Sequence, residues 1–260
     1  MNETPDTDGK GLVTPVIRGM RLLRYIAEGG ATSNLSEVGR LIDVNRVTVM
    51  RLLATLEHEG LIERLPQGGH RLGLAFLTMA ASGMGSVDLL AAGRRVIARL
   101  SRDLGASAYL VLPDGGDIVY VQREMPEAGL VSHIRVGSRV AAYQTAPGRA
   151  MLATLPEPKL RQLLADRPLA RATPDSPASV DDLRRVLRQD REQGCAWSFS
   201  GYEAGINACA AAVCDARGEA VAAISVVGPE HLFQRDAGFQ ARVEQAVTQE
   251  AADLSRILAA

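Results

Sequence analysis

Apolar residues first recur at helical spacing between positions 16 and 29, where Val16, Met20, Leu23 and Ala27 share one face and Gly29-Gly30 ends the run. A polar loop over 31–34 leads to a second short helix, 35–43, with Leu35, Val38 and Ile42 on one side. Asn34 and Glu37 are spaced as a capping box at its start, and Ser36 is the competing cap. After the tight turn Asp43-Val44-Asn45, the pattern predicts a third helix over 46–59, with Val49, Leu52, Leu53 and Leu56 facing inward and Gly60 as its C-cap. Two short strands around Pro66-Gln67-Gly68-Gly69 read as a hairpin. Helix, helix, tight turn, helix, hairpin is the order of a winged helix-turn-helix.

Residues 75–85 read as a short helical linker that breaks at Ser82-Gly83-Met84-Gly85. Beyond it the pattern changes. A helix over 87–103 precedes strands at 109–112 and 118–121, joined across Pro113-Asp114-Gly115-Gly116-Asp117. A further strand is expected over 131–136, then a helix over 147–164 interrupted at Pro156 and Pro158, and a proline-bearing loop over 167–179. Ser179 and Asp182 start another helix that Gly194 closes. Strands over 195–199, 206–214 and 220–227 and a last helix over 236–258 complete a mixed domain with a largely antiparallel sheet. The expected organisation is α+β. A disordered tail spans 1–13, the winged helix-turn-helix 14–74, the linker 75–85 and an α/β domain 86–260.

The chain has 260 residues, 47% of them hydrophobic, and a formal net charge of −1, so any surface for a polyanion must be local. Residues 16–71 hold eight Arg against six acids. A helix that enters the major groove needs an apolar back and a polar front near its N-terminus. The third helix offers Asn45, Arg46, Thr48 and Arg51 on that front, and the hairpin offers His70 and Arg71 to the DNA backbone or minor groove. The competing reading is a small helical domain on which Arg46 and Arg51 are solvated surface charges.

No GxSxG, HExxH or Walker loop occurs, and the three cysteines (Cys195, Cys209, Cys214) have no zinc-finger spacing. The residues predict no catalytic set, no metal site and no cofactor. The first ten residues lack an apolar stretch, and no run of about 18 apolar residues occurs. A cytoplasmic protein with reduced thiols and no membrane span is expected. Small residues at 208–212 and 222–228 would leave room for a ligand beside a buried sheet, with Ser225 as a polar group. Tight packing of helix on sheet is the alternative. An enzyme dimerised by its helical segment and an effector-free DNA-binding scaffold are the rival functions.

Four blocks carry a family resemblance: Ile17 to Leu23; Thr48 to Leu56 with Gly60-Leu61-Ile62-Glu63 and Arg71-Leu72-Gly73; Val136 to Arg139 with Thr145 to Ala153; and Glu203 to Ile206 with Ala222 to Pro229. Over residues 14–257 the chain resembles the IclR family of bacterial transcriptional regulators. The resemblance implies a GAF-like effector domain, a homodimer or dimer of dimers, a pseudo-palindromic double-stranded DNA operator and control by a small metabolite such as an aromatic or organic acid. It also implies an effector site at the backbone of Ala146 and Pro147 and the side chains of Ser198, Ala208, Ser225 and Val227. The chain departs from the family's pattern at Ala208, Ser198 and Val227, where a Cys, an Asp and a Ser are usual. These replacements favour a larger, less polar effector. His133, Arg135, Tyr143, Phe199 and Tyr202 are expected as additional contacts.

Overall fold

The computed structural model describes residues 7–8, 11–76, 78–79, 88–126, 132–165, 169–234, 236 and 238–259. The chain divides into two compact units, Met1–Ser86 and Val87–Ala260. In the first, β1 (Thr7–Asp8) pairs with β2 (Leu12–Val13) within the stretch expected to be a tail. Then follow α1 (Thr14–Ala27), α2 (Leu35–Leu41), α3 (Arg46–His58) and the antiparallel wing of β3 (Ile62–Arg64) and β4 (His70–Leu72). The caps fix the helix starts. Asn34, not Ser36, caps α2, its Oδ1 accepting from the Glu37 amide at 3.3 Å. Asn45 Oδ1 accepts from the Thr48 amide at 2.8 Å and so begins α3. Leu22, Leu23, Ile26, Val38, Ile42, Val49, Leu53, Leu56 and Ile62 form one core. Residues 74–76 and 78–79 are helical, but most of the expected linker lies outside the described residues.

The second unit runs α4 (Asp88–Leu104), β5 (Ser107–Asp114), β6 (Asp117–Glu124), β7 (Arg139–Ala141), a 3-10 turn at Ala142–Gln144, α5 (Ala146–Thr154), α6 (Glu157–Leu164), α7 (Val180–Gln193), β8 (Ala196–Phe199), β9 (Ile206–Cys214), β10 (Ala220–Pro229), α8 (Glu230–Phe233) and α9 (Phe239–Ala259). Its six strands lie in the order β7-β6-β5-β10-β9-β8, and every neighbouring pair is antiparallel. Successive side chains alternate between the faces. Leu110, Ile224, Val226, Cys209 and Val213 pack under α4 and α9 with Ile97, Leu100, Phe239, Val243 and Leu254. Tyr109, Val111, Tyr120, Ala223 and Val227 pack under α5, α6 and α7 with Met151, Leu160, Leu183 and Leu187.

Local chemistry sets several boundaries. Ser179 Oγ accepts from the Asp182 amide at 3.1 Å, and Gly194 ends α7 at φ +71°. Pro156 separates α5 from α6. The strand expected over 131–136 is a misreading. Over the described part, 132–136, no ladder forms because side chains capture the backbone: Ser132 Oγ takes the Ile134 amide, Ser138 Oγ the Arg135 amide and Glu203 the His133 amide. The edge strand is β7 instead, which pairs with β6 from Val119↔Arg139 to Asp117↔Ala141. At the other edge, β8 is so short that its ladder with β9 stops at Ala196↔Ala210. Beyond that point the Cys214 amide donates to Ser255 Oγ at 2.9 Å.

Alanines bring α5 close to the sheet: Ala146 and Ala150 meet Ala196 and Ala210, with Ala208 and Ala212 alongside. Gly148 completes the approach, because a Cβ there would overlap the Ala142 carbonyl.

Candidate functional site

Opposite its buried stripe of Val49, Leu53 and Leu56, α3 presents Arg46, Val47, Met50 and Arg51 to solvent. Val47 is 64% exposed and Met50 49%, and sequence reasoning passed over both. Apolar residues on the polar front of such a helix suit thymine methyl groups, and only their exposure reveals them. Thr48 and Arg51 also line a cleft of about 500 Å³ between α1 and α3, with Arg18, Met20 and Leu52. Asn45 spends its Oδ1 on the cap and retains its side-chain amide nitrogen as a donor.

The wing departs from expectation at His70. Its Nδ1 lies 2.7 Å from Thr32 Oγ1 and its Nε2 2.9 Å from Glu57 Oε1, and its side chain is 6% exposed. His70 therefore joins the wing to the 31–34 loop and to α3. Arg71 is exposed and paired with Glu63 across the two strands.

In the second unit a narrow cavity opens where the N-terminus of α5 meets the sheet. Thr145, Ala146 and Pro147 form one end, with Thr145 as the N-cap. Ser225 and Val227 of β10, Ala208 and Ile206 of β9, Ser198 of β8 and Tyr120 of β6 form the walls, and Ser132, Ile134, Tyr202 and Glu203 close it. Of the eleven expected effector contacts, Ala146, Pro147, Ser198, Ala208, Ser225 and Val227 therefore line one space. Tyr202, among the further contacts expected, lines it too.

The other four do not line it. His133 is exposed and enters only through its backbone amide, which donates to Glu203 Oε1 at 3.2 Å. Tyr143 is buried, but its hydroxyl donates to the Ala170 carbonyl at 3.3 Å and accepts from the Ala170 amide at 2.8 Å. Phe199 is half exposed and stacks on Trp197, 5.3 Å between centroids. Adjacent strand residues face opposite ways, so Phe199 turns away where Ser198 turns in. Arg135 is exposed, outside the lining.

Ser225 is fully buried, and its Oγ makes no hydrogen bond among the described residues. A buried hydroxyl without a partner costs on the order of 1–3 kcal/mol, so its presence calls for a role. It lies by the N-terminus of α5, where the Ala146 amide and the helix dipole favour an anion, Pro147 having no N–H and Gly148 donating to the Thr145 cap. Tyr120 is buried, and that burial pushes its phenol well above its ordinary range, so it stays a neutral donor. The free volume is about 30 Å³, room for a water or two. Any larger occupant requires the lining to open.

Behind the cavity, Arg149 of α5 is buried. Its Nε donates to Asp190 Oδ2 of α7 at 3.1 Å, and another guanidinium nitrogen donates to the Trp197 carbonyl of β8. Burial pushes the Asp190 carboxyl up to about 6 against the pull of Arg149. These bonds tie α5 to α7 through Asp190 and to β8 through the Trp197 carbonyl. Among the described residues no cluster of metal-ligating side chains occurs, and no helix is long and apolar enough to cross a membrane.

Comparisons with known proteins agree with this architecture. Residues 15–66 match the IclR helix-turn-helix domain, and residues 81–256 match the family described as bacterial transcriptional regulator IclR C-terminal. The HTH-type transcriptional regulator XynR of Escherichia coli K12 is 28% identical over 216 residues, 83% of this chain and 86% of XynR. An IclR transcriptional regulator from Alicyclobacillus acidocaldarius superposes with a TM-score of 0.83 at 25% identity, covering 94% of this chain and 98% of that one. An IclR homolog from Microbacterium hydrocarbonoxydans, solved with 4-hydroxybenzoate, shares the fold with a TM-score of 0.83 at 21% identity, over 94% and 99% of the two chains. With both units matched in order, the chain belongs to the IclR family of helix-turn-helix, DNA-binding transcriptional regulators.

Proposed function

We propose that this regulator's affinity for its operator is set by a small carboxylic acid, aromatic or aliphatic, bound in the cavity at the foot of α5. The observation that carries this reading is the buried, unbonded Ser225 hydroxyl facing a helix N-terminus. A carboxylate placed there would accept from Ser225 and from the Ala146 amide, the one donor of the first turn left by Pro147 and by the bonds of Gly148 and Arg149 to Thr145. The relative that holds 4-hydroxybenzoate supports the same class. A homodimer would set two α3 helices in successive major grooves, with Arg46, Val47, Thr48, Met50 and Arg51 toward the bases and Arg71 toward the flanking backbone. His70 drops out of the reading set because both its ring nitrogens are engaged.

Opening the cavity to admit the acid would shift the balance between DNA-competent and DNA-incompetent states through the 75–85 linker. That shift is limited by the acid's differential affinity for the two states. The test measures binding of the full chain to the DNA upstream of its own gene by fluorescence anisotropy, with and without a panel of small acids. Arg51→Ala should weaken DNA binding at unchanged thermal stability. Ser225→Ala and Ala208→Leu should abolish the response to acid while DNA binding persists. A response undiminished in both cavity variants would overturn the proposal.

A further inference from the structure

The cavity's lining is asymmetric in charge. Among the described residues its polar side chains are the hydroxyls of Tyr120, Ser132, Thr145, Ser198, Tyr202 and Ser225 and one carboxylate, Glu203, with no Arg, Lys or His. Arg123, on β6, donates to the Ile134 carbonyl at 3.2 Å instead. Strand register places Glu203 at the far end from Ser225. Ser225 lies opposite Ala210, Val227 opposite Ala208 and Pro229 opposite Ile206, so the wall runs from Ser225 past Val227 and Ala208 to Ile206, just beyond Glu203. Glu203 Oε1 accepts from Ser132 Oγ at 3.1 Å and from the His133 amide at 3.2 Å. Its Oε2 makes no hydrogen bond among the described residues.

We infer that Glu203 determines effector specificity: the cavity selects monocarboxylates that carry a hydroxyl opposite the carboxylate and rejects dicarboxylates. The inference rests on the functional reading above, which places one carboxylate at α5 and Ser225. The far end of such a ligand then meets an acceptor. A hydroxyl donates to Glu203 Oε2, a hydrogen atom leaves that oxygen to solvent, and a second carboxylate meets like charge beside a half-buried carboxylate. Discrimination of this kind rests more on what is repelled than on what is attracted.

Calorimetry on the full chain with two matched series tests it: 4-hydroxybenzoate, benzoate and terephthalate, and 3-hydroxypropionate, propionate and malonate. In the series that binds, the hydroxy acid should bind several-fold tighter than the unsubstituted acid and at least tenfold tighter than the diacid. Glu203→Gln keeps the Oε1 acceptor for Ser132 and His133 but removes the charge, and should bring the diacid within about threefold of the hydroxy acid. Ser132→Ala loosens the same loop without touching the charge, and should leave the order unchanged. A diacid that binds wild type as tightly as the hydroxy acid overturns the inference, as does an order unmoved by Glu203→Gln or flattened equally by Ser132→Ala. These failures leave acid binding intact. If no acid of either series binds, the effector reading of the cavity falls and this inference falls with it.

Discussion

The two faces of the six-stranded sheet are built from the same strands and do different work. On β10, Ile224 and Val226 point under α4 and α9 into a face filled by Ile97, Leu100, Phe239, Val243 and Leu254. Their neighbours Ser225 and Val227 point the other way, where alanines on β9 and α5 leave a gap and a hydroxyl is unmet. Side chains of one strand alternate in direction, so stability and ligand recognition are assigned to alternate residues of one segment. A face filled with large side chains loses stability when trimmed, whereas a face kept incomplete loses recognition.

The sharpest test sets Phe239→Ala against Ser225→Ala. The first opens a void in the filled face and should cost about 3–5 kcal/mol. The second removes a buried hydroxyl that bonds to nothing and should raise stability, by about 1–3 kcal/mol, while acid binding is lost. Urea unfolding followed by Trp197, the chain's one tryptophan, reads both within the second unit. Equal costs would erase the contrast between the faces.

Next in size is the buried pair behind the cavity. Asp190→Ala strands the Arg149 guanidinium and should cost about 3 kcal/mol or more, whereas Arg149→Met with Asp190→Leu should cost far less. The pair also gives a pH dependence. The folded-state value near 6 lies above the usual 3.8, so the folded chain holds this proton where the unfolded chain has released it. The stability contributed by this group is complete below about pH 4 and is lost as pH rises through about 6. Asp190→Asn should remove that slope from a series of urea midpoints. Gly148→Ala, which forces a methyl onto the Ala142 carbonyl, should cost about 1–3 kcal/mol and weaken acid binding in the same titrations. The smallest effect belongs to the first unit. Asn45→Ala removes the α3 cap and should cost about 1 kcal/mol, read by circular dichroism of the full chain.

Features written locally were legible in the sequence. Ser179, Asp182 and Gly194 mark both ends of α7 because capping involves residues three or four apart. Helical spacing alone located α3 and its inward stripe. The stretch 132–136 has the apolar content of a strand, yet Glu203, some seventy positions away, and two nearby serines take its amides. His70 carried the same kind of hidden information, since its ring is claimed by Thr32 and Glu57, neither of them a neighbour in sequence. Runs of small residues pointed to the walls around Ala208 and Ser225, whereas Ala146, Pro147 and Ser198 came from family resemblance. Tyr120, Ser132 and Glu203 escaped notice because three separate segments bring them together.

The brevity of β7 and β8 reaches beyond the single chain. A sheet that ends in strands of three and four residues gives another polypeptide little backbone to zip onto, and near the open stretch of β9 the Cys214 amide is already engaged by Ser255. Fibril-like stacking is discouraged at both rims.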